Sequence, residues 1–265
     1  MIIDINTYIG HWPFRQVNNS TPRELVKIMD NAGIDIAAVS SINSVFYKDS
    51  QQGNEELVKE IAAYKNRFIP FAIINPAYTG WKKDFVNCID KMEMKGLELY
   101  PYYHQYSLTD SSAVELMQIA AEKKVPVHLP YSIVNIRQRH WLDTNRNLSI
   151  DEVEKVLSMC PNTDFIITSS PADGIAKQFK KVVENRPGRV YYDFSRLDVF
   201  TQGFNALVET AGIDRIVFGS VSPFQYVDPQ LVKLHFSDLN DCEKGKVMSG
   251  NLKELLGLNP DVQTV

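Results

Sequence analysis

The chain has 265 residues, 44% of them hydrophobic and 23% charged, a composition that excludes a disordered polymer and a small stapled scaffold and suits one well-packed globular unit. Lys and Arg number 28 against 32 Asp and Glu, a formal net charge of -4 with no basic run, so nucleic acid is not an expected partner. No apolar stretch approaches bilayer length and the N-terminus lacks signal-peptide character, which predicts a cytoplasmic protein with no membrane association; Cys88, Cys160 and Cys242, widely spaced and odd in number, fit reduced thiols.

In chain order, short β-branched apolar runs alternate with helix-length amphipathic stretches. Strands are predicted over Ile2 to Tyr8, Ile34 to Ser41, Arg67 to Ile74, Gly96 to Tyr100, Val125 to Pro130, Asp164 to Ser169, Arg189 to Phe194 and Arg215 to Ser220. Between them, Thr21-Pro22 reads as an N-cap followed by a first-turn proline, Ser149 to Glu152 as a capping box, and Asp110 to Lys124 as the cleanest amphipathic helix. Gly33 and Gly212 stand where a left-handed residue closes a helix before the next strand. Eight consecutive βα units most simply close into a (β/α)8 TIM barrel, a single α/β domain over residues 1–265; a doubly wound open sheet is the alternative.

In such a barrel the site is built where strands end and loops begin. The first strand leads through Asn6 and Tyr8, on one face by period two, to His11 and Arg15. The fourth leads into Tyr100, Tyr102, Tyr103, His104 and Tyr106, and the fifth carries His128 and leads to Arg137, Arg139 and His140. The seventh ends on Asp193. Arg15 and Arg137 have the chemistry to fork an anionic group, or else to pair with rim acids such as Asp110 or Asp143. His104, His128, His140 and Asp193 are the candidate acid–base groups, each with an alternative structural role. Asn6, Tyr8, His11, Tyr100 and Tyr106 join the two arginines as candidate substrate contacts.

Several segments together resemble the amidohydrolase-related (amidohydrolase 2) family of metal-dependent TIM-barrel hydrolases. They are Ile3-Asp4 before the Asn-x-Tyr step, Lys95 to Pro101, Val125-Pro126-Val127, Phe165 to Ile167, Arg215 to Ser220, and Gly250-Asn251 before Leu255-Leu256. Gly10 to Arg15, His104-Gln105-Tyr106 and Arg137 to His140 resemble a branch of that family with an Asn at its first ligand position. The family resemblance implies metal ligands at the positions of Asn6, Tyr8, Pro130, Ser169-Ser170 and Val221, and every one of these is substituted. Valine and proline side chains offer no donor atom. The resemblance therefore implies a small-molecule hydrolase, or a lyase such as a decarboxylase or hydratase, that works on a carboxylated or anionic substrate without the usual metal. Two other readings stand beside it: an inactive barrel that binds a metabolite or protein partner, and a hydrolase whose zinc sits at a displaced site drawn from His11, His104, His128 and Asp193. A homodimer is the expectation for any self-association.

Overall fold

In a computed structural model, residues 1–143, 147–197 and 202–258 are described. Eight parallel strands follow one another around the sheet in chain order: β1 Ile3–Ile9, β2 Ile36–Ser41, β3 Phe68–Ile73, β4 Gly96–Glu98, β5 Val127–Pro130, β6 Phe165–Thr168, β7 Val190–Asp193 and β8 Ile216–Val217. The sheet closes on itself. Ile5 N–H donates to Phe218 O at 2.9 Å, Val221 N–H to Asn6 O at 2.9 Å, and Tyr8 N–H to Ser222 O at 2.8 Å. The β1–β2 register slips between Asp4 and Thr7. The fold is the expected (β/α)8 barrel and not an open sheet.

Two apolar layers explain why these sequences stay in place. Outward-facing Leu97, Val127, Phe165, Val190 and Phe218 pack against helix residues such as Leu116, Val153, Phe179 and Phe204. Inward-facing Ile3, Ile36, Phe71, Ile166, Tyr191 and Val217 fill the lower barrel, where Leu252 and Leu255 join them. Gly96 is needed because a Cβ there would strike the Phe71 ring. With the lower barrel filled, polar side chains find space only toward the C-terminal ends of the strands.

The local signals are met unevenly. Thr21 caps the helix Pro22–Ala32 in a full capping box with Glu24, and Gly33 ends it at φ 67°. Ser149 accepts from Glu152 N–H at 3.3 Å, but the Glu152 carboxylate receives Leu108 N–H instead of closing the box. The helix expected from Asp110 to Lys124 runs Ser111–Glu122, because the Asp110 carboxylate turns back to accept Ser107 N–H at 2.9 Å. Gly212, at φ 81° and ψ 145°, is not the left-handed helix terminator expected; it leads into a single 3-10 turn, Ile213–Arg215. β4 and β8 are shorter than their apolar runs, and Tyr100 lies past β4 at the head of the short helix Pro101–His104.

No helix among the described residues is long and apolar enough to cross a membrane. All three cysteines are free.

Candidate active site

At the C-terminal end of β7, Asp193 is fully buried. Its Oδ1 accepts Ser169 N–H at 2.9 Å, and its Oδ2 faces Asn6 Nδ2 at 3.4 Å. Asn6 Nδ2 also donates to Ser169 Oγ at 3.0 Å, which ties β1, β6 and β7 together. Burial pushes the Asp193 carboxyl up from its ordinary value, against the lowering effect of its hydrogen bonds and of His128. Asp4 is also buried; its Oδ1 accepts Asn6 N–H and Ser220 N–H, each at 3.0 Å, while its Oδ2 has no partner. Desolvation pushes the Asp4 carboxyl up to about 7, and the charge of Asp193 adds to the effect.

Backbone strain sits at the same strand ends. Ser169 has φ 56° and Val221 φ 65°, the left-handed region that is especially costly for a β-branched residue. In Ser169 this conformation delivers the N–H held by Asp193, and in Val221 the N–H held by Asn6 O. Gly219, against Asp193 and Asn6, must lack a side chain because a Cβ there would meet Asp193 Oδ2 at 2.7 Å.

A second polar arm crosses the barrel from β4 to β6. The Tyr100 hydroxyl donates to Glu98 Oε1. Glu98 Oε2 lies 3.6 Å from His128 Nδ1, and His128 Nε2 is 2.6 Å from Thr168 Oγ1. Phe71 presents its edge to the imidazole from below. The Tyr8 hydroxyl lies beside that of Tyr100 yet has no well-directed hydrogen bond of its own. Burial and then the Glu98 carboxylate hold both phenols well above their ordinary range.

Above these groups the mouth is covered. Trp12, only 2% exposed although its neighbours His11 and Pro13 are exposed, packs edge-on against Phe14, Phe46, Tyr103 and Phe224. Beside this cover the loops after β1 and β8 bound a rim cavity of about 470 Å³, lined among others by Arg15, Gln138 and Tyr226.

Of the residues singled out in the sequence, Asn6, Tyr8, Tyr100, His128 and Asp193 are brought together. The others are not. His11, Arg15, Arg137 and His140 lie on exposed loops, His140 stacked between Phe14 and Trp141. His104 turns away from the mouth, with Nε2 at 3.2 Å from Val45 O; burial pulls its imidazole down to about 4. Tyr106 belongs to the core behind the barrel wall. Arg139 takes the structural alternative, facing Asp143 at 3.8 Å and donating to Asn147 at 3.0 Å.

Sequence reasoning missed Glu98, Thr168 and Arg196. Glu98 and Thr168 carried a signal, since each is a lone polar residue at an inward position of an otherwise apolar strand. Arg196 is half-buried and donates from Nη2 to Ile133 O at 3.2 Å; with the Gln225 amide turned, its Nη1 and Nε donate to the Gln225 oxygen at 2.8 and 3.1 Å. Its charge acts on both Asp193 and Tyr8. Nothing in the local sequence distinguishes it from the loop arginines.

The groups that the described residues place here do not fit a divalent-metal site. Among the described residues no three His, Cys, Asp or Glu side chains converge, and the proposed displaced set is scattered: His11 is on a loop, His104 is on the Val45 carbonyl, and only His128 and Asp193 share the interior.

No protein-family model matches the sequence, and no curated protein does. Solved structures do. A Staphylococcus aureus protein provisionally assigned as an amidohydrolase is 20% identical, with a TM-score of 0.78 over 97% of this chain and 99% of that one. A dihydroxybenzoic acid decarboxylase from a Polaromonas species, with bound manganese and the inhibitor 2-nitroresorcinol, is 14% identical at TM-score 0.75 over 100% and 99%. The 4-oxalomesaconate hydratase of Rhodopseudomonas palustris is 14% identical at TM-score 0.68 over 97% and 96%. These likenesses establish the fold. The chain has the same (β/α)8 barrel as these structures along nearly its whole length.

Proposed function

We propose that this chain is a small-molecule enzyme of the amidohydrolase-related kind, a hydrolase or lyase that acts on a carboxylated or otherwise anionic substrate at the C-terminal mouth of the barrel. The observation that carries this reading is the set of buried polar atoms without a hydrogen-bond partner from the protein at the strand ends: Asn6 Oδ1, Tyr8 Oη, Ser40 Oγ and Ser170 Oγ. Each such atom costs about 1–3 kcal/mol while unpaired, and a bound molecule that supplies the missing partners recovers that cost. The barrel likeness to a decarboxylase and a hydratase supports the same reading.

In this proposal the chain's own acid–base groups, Asp193 and His128, work without the usual metal, because Asn6, Tyr8, Pro130 and Val221 stand at the ligand positions of the family it resembles. Arg196, close to Asp193, and Arg15, on the rim cavity, are the guanidinium groups placed to receive the anion. Substrate screening with carboxylated esters, lactones and aromatic acids tests it. Turnover abolished by Asp193→Asn is expected; turnover unchanged by that substitution overturns the assigned role.

The Trp12 cover favours a second reading, a barrel that binds without turnover, since Asp193 and His128 are buried beneath an aromatic layer. Ligand-induced stabilisation with no product across the same panel is the outcome that selects it.

A further inference from the structure

The rim cavity beside the Trp12 cover has a lining unlike the rest of the chain. Its volume of about 470 Å³ lies within the roughly 300–1,000 Å³ of small-molecule sites. Six of its fifteen lining residues are carboxamides, Gln16, Asn18, Asn19, Asn31, Gln138 and Gln225, although only 29 of the chain's 265 residues are Asn or Gln. They converge from four separate segments: the loop after β1, the helix Pro22–Ala32, the turn Ile136–Gln138 after β5, and the loop after β8. One amide-rich stretch of loop therefore does not account for the concentration. Phe224 lines the cavity and also packs edge-on against Tyr8, 5.6 Å between ring centroids, so the cavity backs onto the polar floor with one ring between them. Gln225, next in the chain, gives the oxygen of its turned amide to Arg196.

We propose that this cavity is a binding site for a polyhydroxylated carboxylic acid, a ligand of the sugar-acid class. Calling that ligand the substrate rests on the enzyme reading above; its binding here does not. A carboxamide carries two donors and an acceptor oxygen, and a hydroxyl both donates and accepts, so each amide can meet a hydroxyl in either direction. An aromatic acid without hydroxyls would cover the same amides and leave them unmatched. Arg15, exposed on this wall, has the planar fork that a carboxylate fits. Asp228 supplies only acceptors, which suit neighbouring hydroxyls and disfavour a carboxylate at its own end, so the ligand lies with its acid toward Arg15. Tyr226, 83% exposed at the cavity edge, offers an aromatic face to the apolar C–H side of a sugar ring.

Proton–nitrogen NMR of the purified full chain reads side-chain amides directly, with those of Asn18 and Gln138 assigned by signal loss in Asn18→Ser and Gln138→Ser. D-glucuronate, D-galacturonate and D-gluconate are the probes; D-glucose lacks their charge and benzoate their hydroxyls. The site predicts that at least one of the three acids moves both amides saturably, with a Kd of about 1 mM or below. Glucose and benzoate should bind about tenfold more weakly or worse, as should the same acid to Arg15→Gln. Arg15 is exposed, so that substitution does not threaten the fold. Rim amides unmoved by all three acids, or moved as strongly by glucose or benzoate, overturn the site. Binding at the rim with no product from any carboxylated compound leaves the site standing and ends the enzyme reading. Product from a carboxylated compound that leaves the rim amides unmoved does the reverse.

Discussion

Replacing Gly219 by alanine should damage the candidate site directly. The added Cβ would lie 2.7 Å from Asp193 Oδ2, 3.1 Å from Asp193 Cβ and 3.3 Å from Asn6 Cβ, and all three belong to strands that cannot move apart without opening the barrel. Overpacking of this kind costs about 1–3 kcal/mol. Turning Asp193 aside also weakens its bond from Ser169 N–H, a hydrogen bond worth roughly 0.5–1.5 kcal/mol. A loss near 3 kcal/mol is expected, and at about 2–4 °C per kcal/mol for a domain of this size the melting temperature falls by roughly 6–12 °C. Urea unfolding at neutral pH measures it directly. Gly174→Ala is the control: it lies in the helix Ala172–Glu184 with open space around it, and should stabilise by up to about 1 kcal/mol. A Gly219→Ala loss under about 1 kcal/mol would refute the close packing of β8 on Asp193 from which the site is built.

The pH dependence of stability separates two buried groups. Asp4, raised to about 7 from 3.8, keeps a proton in the folded chain that the unfolded chain gives up; its contribution is full below about pH 4 and is lost as pH rises through 7, by a few kcal/mol at about 1.4 kcal/mol per pH unit. Asp4→Asn should flatten that slope in urea unfolding while keeping an oxygen for Asn6 and Ser220. His104, lowered to about 4 from 6.5, contributes stability that is present above 6.5 and lost as pH falls toward 4, so His104→Gln should flatten the acid side only. Trp12→Ala should cost about 3–5 kcal/mol by thermal unfolding, and Trp12→Phe much less, because Trp12 fills the mouth. Dialysis against a chelator should leave melting temperature and metal content by elemental analysis unchanged, as no ligand set is assembled among the described residues; about one equivalent of a divalent ion lost together with stability would contradict this.

The barrel was legible because periodicity and caps act locally. Each apolar run became a strand, and Thr21 and Gly33 bound the helix between them as their chemistry requires. The boundaries were less so, since the end of a run is decided by partners distant in the chain: Tyr100 leaves the sheet two residues after Glu98 pairs with His128. For the candidate site, strand-end position picked out Asn6, Tyr8, Tyr100, His128 and Asp193, which the fold brings together. Loop residues were misjudged, because neither His104 nor Arg137 carries in its neighbourhood any sign of which way its loop folds. Glu98 was passed over within a segment read for its resemblance alone, although a lone carboxylate facing a barrel interior is the costliest residue there to leave unpaired.

The central claim is that the polar floor of the mouth does chemistry on small carboxylated molecules. Mass-spectrometric product analysis of purified protein against a panel of carboxylated esters, lactones, unsaturated acids and aromatic acids, run beside Tyr8→Phe and Asp193→Asn, tests it most directly. The account predicts a product formed by the wild-type chain and lost in both variants while each remains folded. No product from any member of the panel, or a product formed equally by all three proteins, would contradict it.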